Sequence, residues 1–300
     1  MPTKVILNPY ANRWKAQECL PQLESALKDA GIAYDLAVSE RRGHLIELAR
    51  AAALQGCSPI IVAGGDGTLG EVVNGLAQAP PTLGMALGPV GVIPLGTAND
   101  FACNLGLPLD IEGAVQRIKA GRVRQIDLCQ VNEHVFVNNA AIGLEPTVTI
   151  IQQEMVWAKG ILRYLLAALR GILRNPSWQA QLEWEGGAYT GLISLVTVGN
   201  SARTGGLFFM TPHADPADGR LTFVHAYRKN QWELLRIFPR TMKAGAGSYV
   251  ELDGVHEIHS PWLKVHLETP SPAHADGEIF SRTITDLEYR VLPGRLQVLG

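Results

Sequence analysis

Two glycine-rich loops hold the residues best suited to chemistry: Gly64-Gly65-Asp66-Gly67-Thr68 and Gly96-Thr97-Ala98-Asn99-Asp100. Glycine lets backbone N–H groups approach a phosphate closely, and a helix starting just after the loop adds a favourable field. Thr68 and Thr97, with Ser39 from an earlier loop, can donate hydroxyl hydrogen bonds. Asp66 and Asp100 cannot hold phosphate themselves, because like charges repel. Carboxylates among phosphate loops make sense when Mg²⁺ sits between them, directly or through its waters. A single Gly-Gly-Asp-Gly is often only a tight turn, but two such loops after successive buried strands point to phosphate binding. Gly65-x-Gly67-x-x-Gly70 also satisfies the dinucleotide fingerprint. It follows a third strand instead of a first, however, and no acidic residue stands about twenty positions on, so that reading fails on context. A Walker A loop is absent.

The loops need strands and helices to position them. Val5-Ile6-Leu7, Tyr34–Val38, Pro59–Ala63 and Val90–Pro94 read as four short strands. Between them run helical patterns from about Trp14 to Ala30, His44 to Gln55 and Leu69 to Gln78. Apolar strands alternating with helices imply a parallel sheet covered on both faces, with the strand-to-helix loops along one edge. Besides the glycine loops, that edge would carry Asn8-Pro9-Tyr10-Ala11-Asn12 and Ser39-Glu40-Arg41-Arg42-Gly43-His44. After about residue 128 the texture changes. Val131–Val137, Gly191–Val198, Leu221–Tyr227, Trp262–Leu267 and Leu287–Val291 read as strands separated by Gly, Pro and Asp turns. The expected division is an α/β nucleotide domain over 1–128 and a strand-rich domain over 129–289, with the tail 290–300 returning to the first.

Composition narrows the class. Three hundred residues favour two domains, and a net charge of −2 gives no argument for nucleic acid. Cys19, Cys57, Cys103 and Cys129 are scattered without pairing and read as buried thiols of a reducing cytoplasm. His256 and His259 lack a third ligand for zinc. No secretory signal is evident, and Lys159, Arg163 and Arg170 interrupt the one membrane-like stretch, Met155–Leu173.

The run Gly64-Gly65-Asp66-Gly67-Thr68-Leu69-Gly70-Glu71-Val72-Val73-Asn74-Gly75 closely resembles the signature of the diacylglycerol kinase catalytic-domain family, which also contains sphingosine kinases and bacterial soluble lipid kinases. Asn8-Pro9, Gly96-Thr97-Ala98-Asn99-Asp100-Phe101-Ala102 and Asp276-Gly277-Glu278 match in order and spacing along nearly the whole chain. The resemblance implies an N-terminal domain like that of phosphofructokinase and NAD kinase, followed by a C-terminal β-sandwich that accepts a lipid. It further implies that Asn8, Ser39, Gly65, Asp66, Gly67, Thr68, Leu69, Gly70, Glu71 and Thr97 contact ATP. Asp66, Asp100 and Asp127 would organise Mg²⁺, and Glu278 would be the general base that takes the proton of the lipid hydroxyl. A structural Mg²⁺ in the second domain would use Asp215, Asp218 and the carbonyl of Arg220.

Two departures stand out. The family's first loop usually runs N-P-x-S-G-x-G-K, whereas this chain has Asn8-Pro9-Tyr10-Ala11-Asn12-Arg13-Trp14-Lys15; Gly70 replaces the usual Asn. The expected activity is transfer of the γ-phosphoryl group of ATP to a lipid hydroxyl, foremost diacylglycerol. Phosphatidylglycerol, sphingoid bases and ceramide stay open as acceptors. NAD kinase and a non-catalytic sensor of the same fold are the rival functions. Over Glu154 to Arg174 a helix is expected, with Lys159, Arg163, Arg170 and Arg174 on one stripe of a very apolar surface. That pattern suits peripheral contact with anionic headgroups as well as a core-packed helix facing water. A homodimer completes the expected partners.

Overall fold

The computed structural model describes residues 2–12, 14–79, 86–155 and 160–300, without the side chains of residues 160 and 161. Arg13 and Lys159 of the sequence expectations lie outside the described residues.

The first part runs β1 (Thr3–Leu7), α1 (Lys15–Glu18), α2 (Leu20–Asp29), β2 (Tyr34–Val38), α3 (His44–Leu54), β3 (Ile60–Gly64), α4 (Asp66–Ala77), β4 (Leu87–Pro94), α5 (Asp100–Asn104) and α6 (Ile111–Lys119). Strand β3 reads Ile-Ile-Val-Ala-Gly and is buried throughout, as a strand covered on both faces must be. Helix α6 starts where Asp110 accepts the Gly113 N–H at 2.7 Å, a side-chain cap for an otherwise unpaired amide. The four strands pair in parallel in the order β4-β3-β1-β2. Leu7 faces both Val38 and Ala63, and Gly64 faces Pro94, so all four strands end at one level. One apolar layer, with Val62, Val72 and Leu76, covers one face of this sheet. The other face carries Leu23, Leu27 and Val115.

Then follow β5 (Val123–Val131), β6 (His134–Phe136), β7 (Asn139–Gly143), α7 (Leu144–Glu154), α8 (Gly160–Arg174), β8 (Trp178–Trp184), β9 (Gly187–Ile193), β10 (Leu195–Gly199), β11 (Arg203–Thr204), β12 (Phe208–Phe209), β13 (Leu221–Ala226), α9 (Gln231–Ile237), β14 (Val255–Ser260), β15 (Trp262–Ala275) and β16 (Glu278–Leu299). Short 3-10 turns occupy Phe238–Met242 and Tyr249–Glu251. Val131–Val137 is not one strand: Asn132, at φ 50°, turns the chain between β5 and β6. Of the long helix expected over 154–174, α8 forms Gly160–Arg174, and α7, over Leu144–Glu154, is a further helix that the sequence expectations did not include. Arg163 leaves the expected basic stripe, since its Nε donates to the carbonyl of Gln152 near the end of α7.

The second part is antiparallel, with β14-β13-β10-β7-β15 side by side and β8-β9 added to β15. The α/β domain followed by a β-sandwich thus forms as the sequence implied. Strand β16 joins the two. Its first half pairs with β15, and Leu296, Val298 and Leu299 lie parallel to Leu87, Val90 and Gly91 of β4.

Candidate active site

Because β1–β4 end level, their following loops meet. Asn8 Nδ2 donates to Thr68 Oγ1 at 3.0 Å, and Thr97 Oγ1 donates to Asn12 Oδ1 at 3.2 Å. The two glycine loops touch so closely that a Cβ on Gly96 would lie 2.5 Å from the Gly65 Cα, which requires glycine there. Asn99, in the left-handed region at φ 49°, accepts from Gly96 N at 2.9 Å and returns its amide to Gly96 O at 3.2 Å. This pins the second loop.

Asp66 opens α4 and reaches across to α5, accepting the N–H groups of Asp100 at 3.0 Å and Phe101 at 2.9 Å. Bonds from amides to a carboxylate are among the stronger hydrogen bonds. Asp100 is buried and accepts the Gly206 N–H through both oxygens, at 3.0 and 3.1 Å, with Arg203 Nε at 3.4 Å. Burial and the nearby Asp66 charge push the Asp100 carboxyl up to about 6.

The second domain closes the site from the other side. Asp276 sits in the turn between β15 and β16 and accepts three successive N–H groups: Val137 at 2.9 Å, Asn138 at 2.8 Å and Asn139 at 3.2 Å. Burial pushes its carboxyl up to about 6 against those three bonds. A Cβ at Gly70 would stand 3.2 Å from Asp276 Oδ2, so glycine at this position lets α4 approach the turn. The resulting cleft is lined by Asp66, Thr97, Asp100, Asn138, Asp276 and Gly277, among others. At its mouth Glu278 pairs with Arg42 from the loop after β2, Nη2 to Oε2 at 2.9 Å. Glu71 lies beside them; burial and the Glu278 charge raise its carboxyl.

Of the residues expected to meet ATP, Asp66 and Thr97 line the cleft. Gly65 and Gly67 are partly exposed in its glycine loop. Others serve the scaffold. Ser39 is buried and donates to the Arg41 carbonyl at 3.3 Å, Thr68 is buried and engaged by Asn8, and Leu69 belongs to the core. Asp127 stands outside the cluster: it does not line the cleft, and its carboxylate accepts Gly219 N at 2.7 Å and Gly294 N at 2.6 Å. It ties β5 to the loop carrying Asp215 and Asp218 and to the bend of β16. In that loop Asp215 accepts Ala217 N at 3.0 Å and Asp218 accepts Arg220 N at 2.8 Å, so each carboxylate turns back on its own backbone.

Among the described residues, no three His, Cys, Asp or Glu side chains gather to hold a metal unaided. The expected second-domain set, Asp215 and Asp218 with the Arg220 carbonyl, includes only two such side chains. The cleft likewise offers carboxylates in a pair. Mg²⁺ keeps several waters and needs one or two carboxylates plus substrate phosphates. Asp66 Oδ1 is filled by Phe101 N and Asn138 Nδ2, whereas Asp66 Oδ2 and Asp100 Oδ2 each accept one amide and retain a lone pair. Asp66 and Asp100 fit that requirement.

Asn138, Glu145, His274, Arg42 and Arg203 were not singled out from the sequence as site residues. Asn138-Asn139 at the head of a buried strand is the one local signal, since buried amides demand partners.

The first residues, 2–131, match the diacylglycerol kinase catalytic domain, and residues 138–300 match the YegS C-terminal NAD kinase beta sandwich-like domain. A diacylglycerol kinase of Bacillus subtilis is 30% identical over 279 residues, covering 92% of this chain and 89% of that protein. A protein of Yersinia enterocolitica named as a YegS-like lipid kinase is 30% identical over 275 residues, covering 90% and 88%. The crystal structure of a diacylglycerol kinase from Bacillus anthracis superposes with a TM-score of 0.79 at 22% identity, over 99% of this chain and 96% of that one, which establishes the shared fold.

Proposed function

The chain belongs to the diacylglycerol kinase catalytic-domain family, and on that premise we propose that it moves the γ-phosphoryl group of ATP to a hydroxyl of a lipid, foremost diacylglycerol. One observation carries the reading: the two glycine loops and the turn residues Asp276 and Gly277 face one cleft from opposite domains, with Glu278 next in the chain. An apolar chamber between α7, α8 and α9, lined by Val148, Ile172, Phe208 and Leu234, adjoins that cleft and suits an acyl chain. It is also the observation that favours a lipid over NAD as acceptor.

In this reading the amides of Gly67 and Thr97, near the starts of α4 and α5, hold the phosphates. Asp66 and Asp100 would hold Mg²⁺, which supplies charge shielding for the transferred phosphoryl group. Glu278 takes the proton of the acceptor hydroxyl as the phosphoryl group arrives. Arg42, now on Glu278, is long enough and exposed enough to turn to a phosphate and free that carboxylate. Asp276 holds the turn on which Glu278 stands.

Access to the acceptor is a surface problem. No helix among the described residues is long and apolar enough to cross a membrane. On α8, Leu162, Leu169 and Leu173 are 56, 42 and 53% exposed, with Arg170 and Arg174 beside them, and Trp232 on α9 is 65% exposed. Such a mixture suits peripheral contact with an anionic lipid surface.

Radiolabelled ATP with a panel of lipids in mixed micelles, NAD included, tests the activity. Label in a lipid supports it. Label in NAD alone, or in no acceptor despite ATP binding, refutes it.

A further inference from the structure

Two residues line both the polar cleft and the apolar chamber: Glu145, at the start of α7, and Tyr164, on α8. They form the partition that an acceptor must cross if its chain lies in the chamber and its hydroxyl in the cleft. Tyr164 rests on Phe208, ring centroids 4.9 Å apart, and gives the chamber side of the partition. Glu145 gives the polar side. Its side chain is only 8% exposed, a costly position for a carboxylate.

Its partners are few. Oε1 accepts Asn139 Nδ2 at 2.8 Å and lies 3.2 Å from His274 Nε2. Oε2 is buried with no hydrogen-bond partner, although Thr197, 0% exposed, lies near enough to influence the carboxyl. His274 is itself held from the other side, where its Nδ1 accepts the Gly277 N–H at 3.4 Å. Burial raises the Glu145 carboxyl, but His274, Asn139 and the Thr197 hydroxyl together outweigh it and hold the group below its usual range. The scaffold thus builds an acidic group with a spare acceptor oxygen where chain and head of a lipid would meet.

On the reading of the chain as a lipid kinase, we infer that Glu145 is a specificity residue that reads the acceptor's head. It accepts a hydrogen bond from a neutral or ammonium-bearing long-chain alcohol and excludes an acceptor carrying a phosphate. The rest of the cleft agrees in sign, with Asp66, Asp100 and Asp276 on its walls. Arg203 is engaged with Asp100, and Arg42 with Glu278. An anionic head that brings no cation of its own meets uncompensated repulsion there. A diacylglycerol or a sphingoid base meets an acceptor oxygen.

The test compares dioleoylglycerol, sphingosine and phosphatidylglycerol as acceptors for the full chain and for Glu145→Gln, which keeps the shape and removes the charge. For the unaltered chain, kcat/KM for one of the first two should exceed that for phosphatidylglycerol by at least about tenfold. In Glu145→Gln the ratio should fall to within about threefold, with the Kd for ATP unchanged, and Glu145→Asp should restore it in part. A second measurement needs no variant. Dodecanol and dodecylamine should compete with the lipid acceptor at least about tenfold better than dodecyl phosphate. A preference for phosphatidylglycerol, a ratio that Glu145→Gln leaves in place, or equal competition by dodecyl phosphate overturns the role of Glu145 while the kinase reading stands. Transfer to no lipid at all overturns both.

Discussion

Asp66 and Asp276 share Asn138: its side-chain amide donates to Asp66 at 3.2 Å, while its main-chain N–H donates to Asp276 at 2.8 Å. One residue of the second domain thereby fixes the separation of two carboxylates that approach from opposite walls of the cleft.

Asn138→Ala should break the link to Asp66, and with it the bond that the Ser201 hydroxyl donates to Asn138 Oδ1 at 3.4 Å, while the main-chain bond to Asp276 stays. Loss of a hydrogen bond to a carboxylate costs about 1.5–3 kcal/mol, so the melting temperature should fall by several degrees and turnover should fall with it. Full turnover in this variant would show that the link across the cleft does not position the reacting groups.

Protonation of the acidic wall sets a pH dependence. Asp100 stands at about 6 in the folded protein against 3.8 normally, and Asp276 behaves alike. Both bind protons more tightly when folded. Their contribution to stability is fully present below the unfolded value and is lost as pH rises through about 6. Asp100→Asn lacks that loss, so without Mg²⁺ its melting temperature relative to the unaltered chain should climb from about pH 5 to about pH 8. A difference that stays flat over this range would contradict the assigned burial and repulsion.

Glu278→Gln should keep the Kd for ATP and lose turnover by roughly 10²- to 10⁴-fold, the usual worth of a positioned base. Turnover equal to that of the unaltered chain would remove Glu278 from the chemistry.

Asp127 and Asp218 should separate in their effects. Asp127→Ala removes two part-buried hydrogen bonds, from the N–H groups of Gly219 and Gly294, each worth about 1.5–3 kcal/mol to a charged acceptor. Asp218→Ala removes one exposed bond, to Arg220, and surface changes of this kind usually stay within about 0.5 kcal/mol. Thermal melts of both variants, with and without Mg²⁺, check the ranking. A larger loss from Asp218→Ala that depends on Mg²⁺ would mean that the loop holds a cation.

Leu169→Glu should weaken sedimentation with vesicles containing phosphatidylglycerol by about tenfold or more, through lost apolar contact and added repulsion. Phosphorylation of a short-chain acceptor in solution should not change. Equal vesicle binding would remove the α8 face as the contact surface.

The parallel half of the fold was legible because β1, β3 and α4 combine local signals: apolar runs, glycine punctuation and helical periodicity. The turn at Asn132 was less so, since Val131 and Val135–Val137 look continuous when the left-handed residue between them is ignored. Motifs marked out Asp66 and Asp100, which the fold brings to one cleft, and Glu278, which follows the cleft residue Gly277 in the chain. The partners of Thr68 and Ser39 were not legible, because a hydroxyl in a loop shows its chemistry and not its partner. Thr68 accepts from Asn8, and Ser39 donates to the Arg41 carbonyl. Asp127 looked like a member of the acidic group, whereas folding supplied it with two amides more than 90 residues away in sequence. Glu145 and His274 are 129 positions apart and meet only through the strand pairing that sets β7 beside β15.

Strand β16 has a bearing on how the protein is made. Because Leu296–Leu299 pair with β4 on one side and with Val123–Ile126 on the other, the nucleotide domain has a gap in its sheet until a segment that follows the second domain in sequence is in place. Until then the β4 edge is open to pairing with other chains. Folding of the nucleotide domain is therefore completed by a strand made after the second domain, and its sheet closes only once β16 is available.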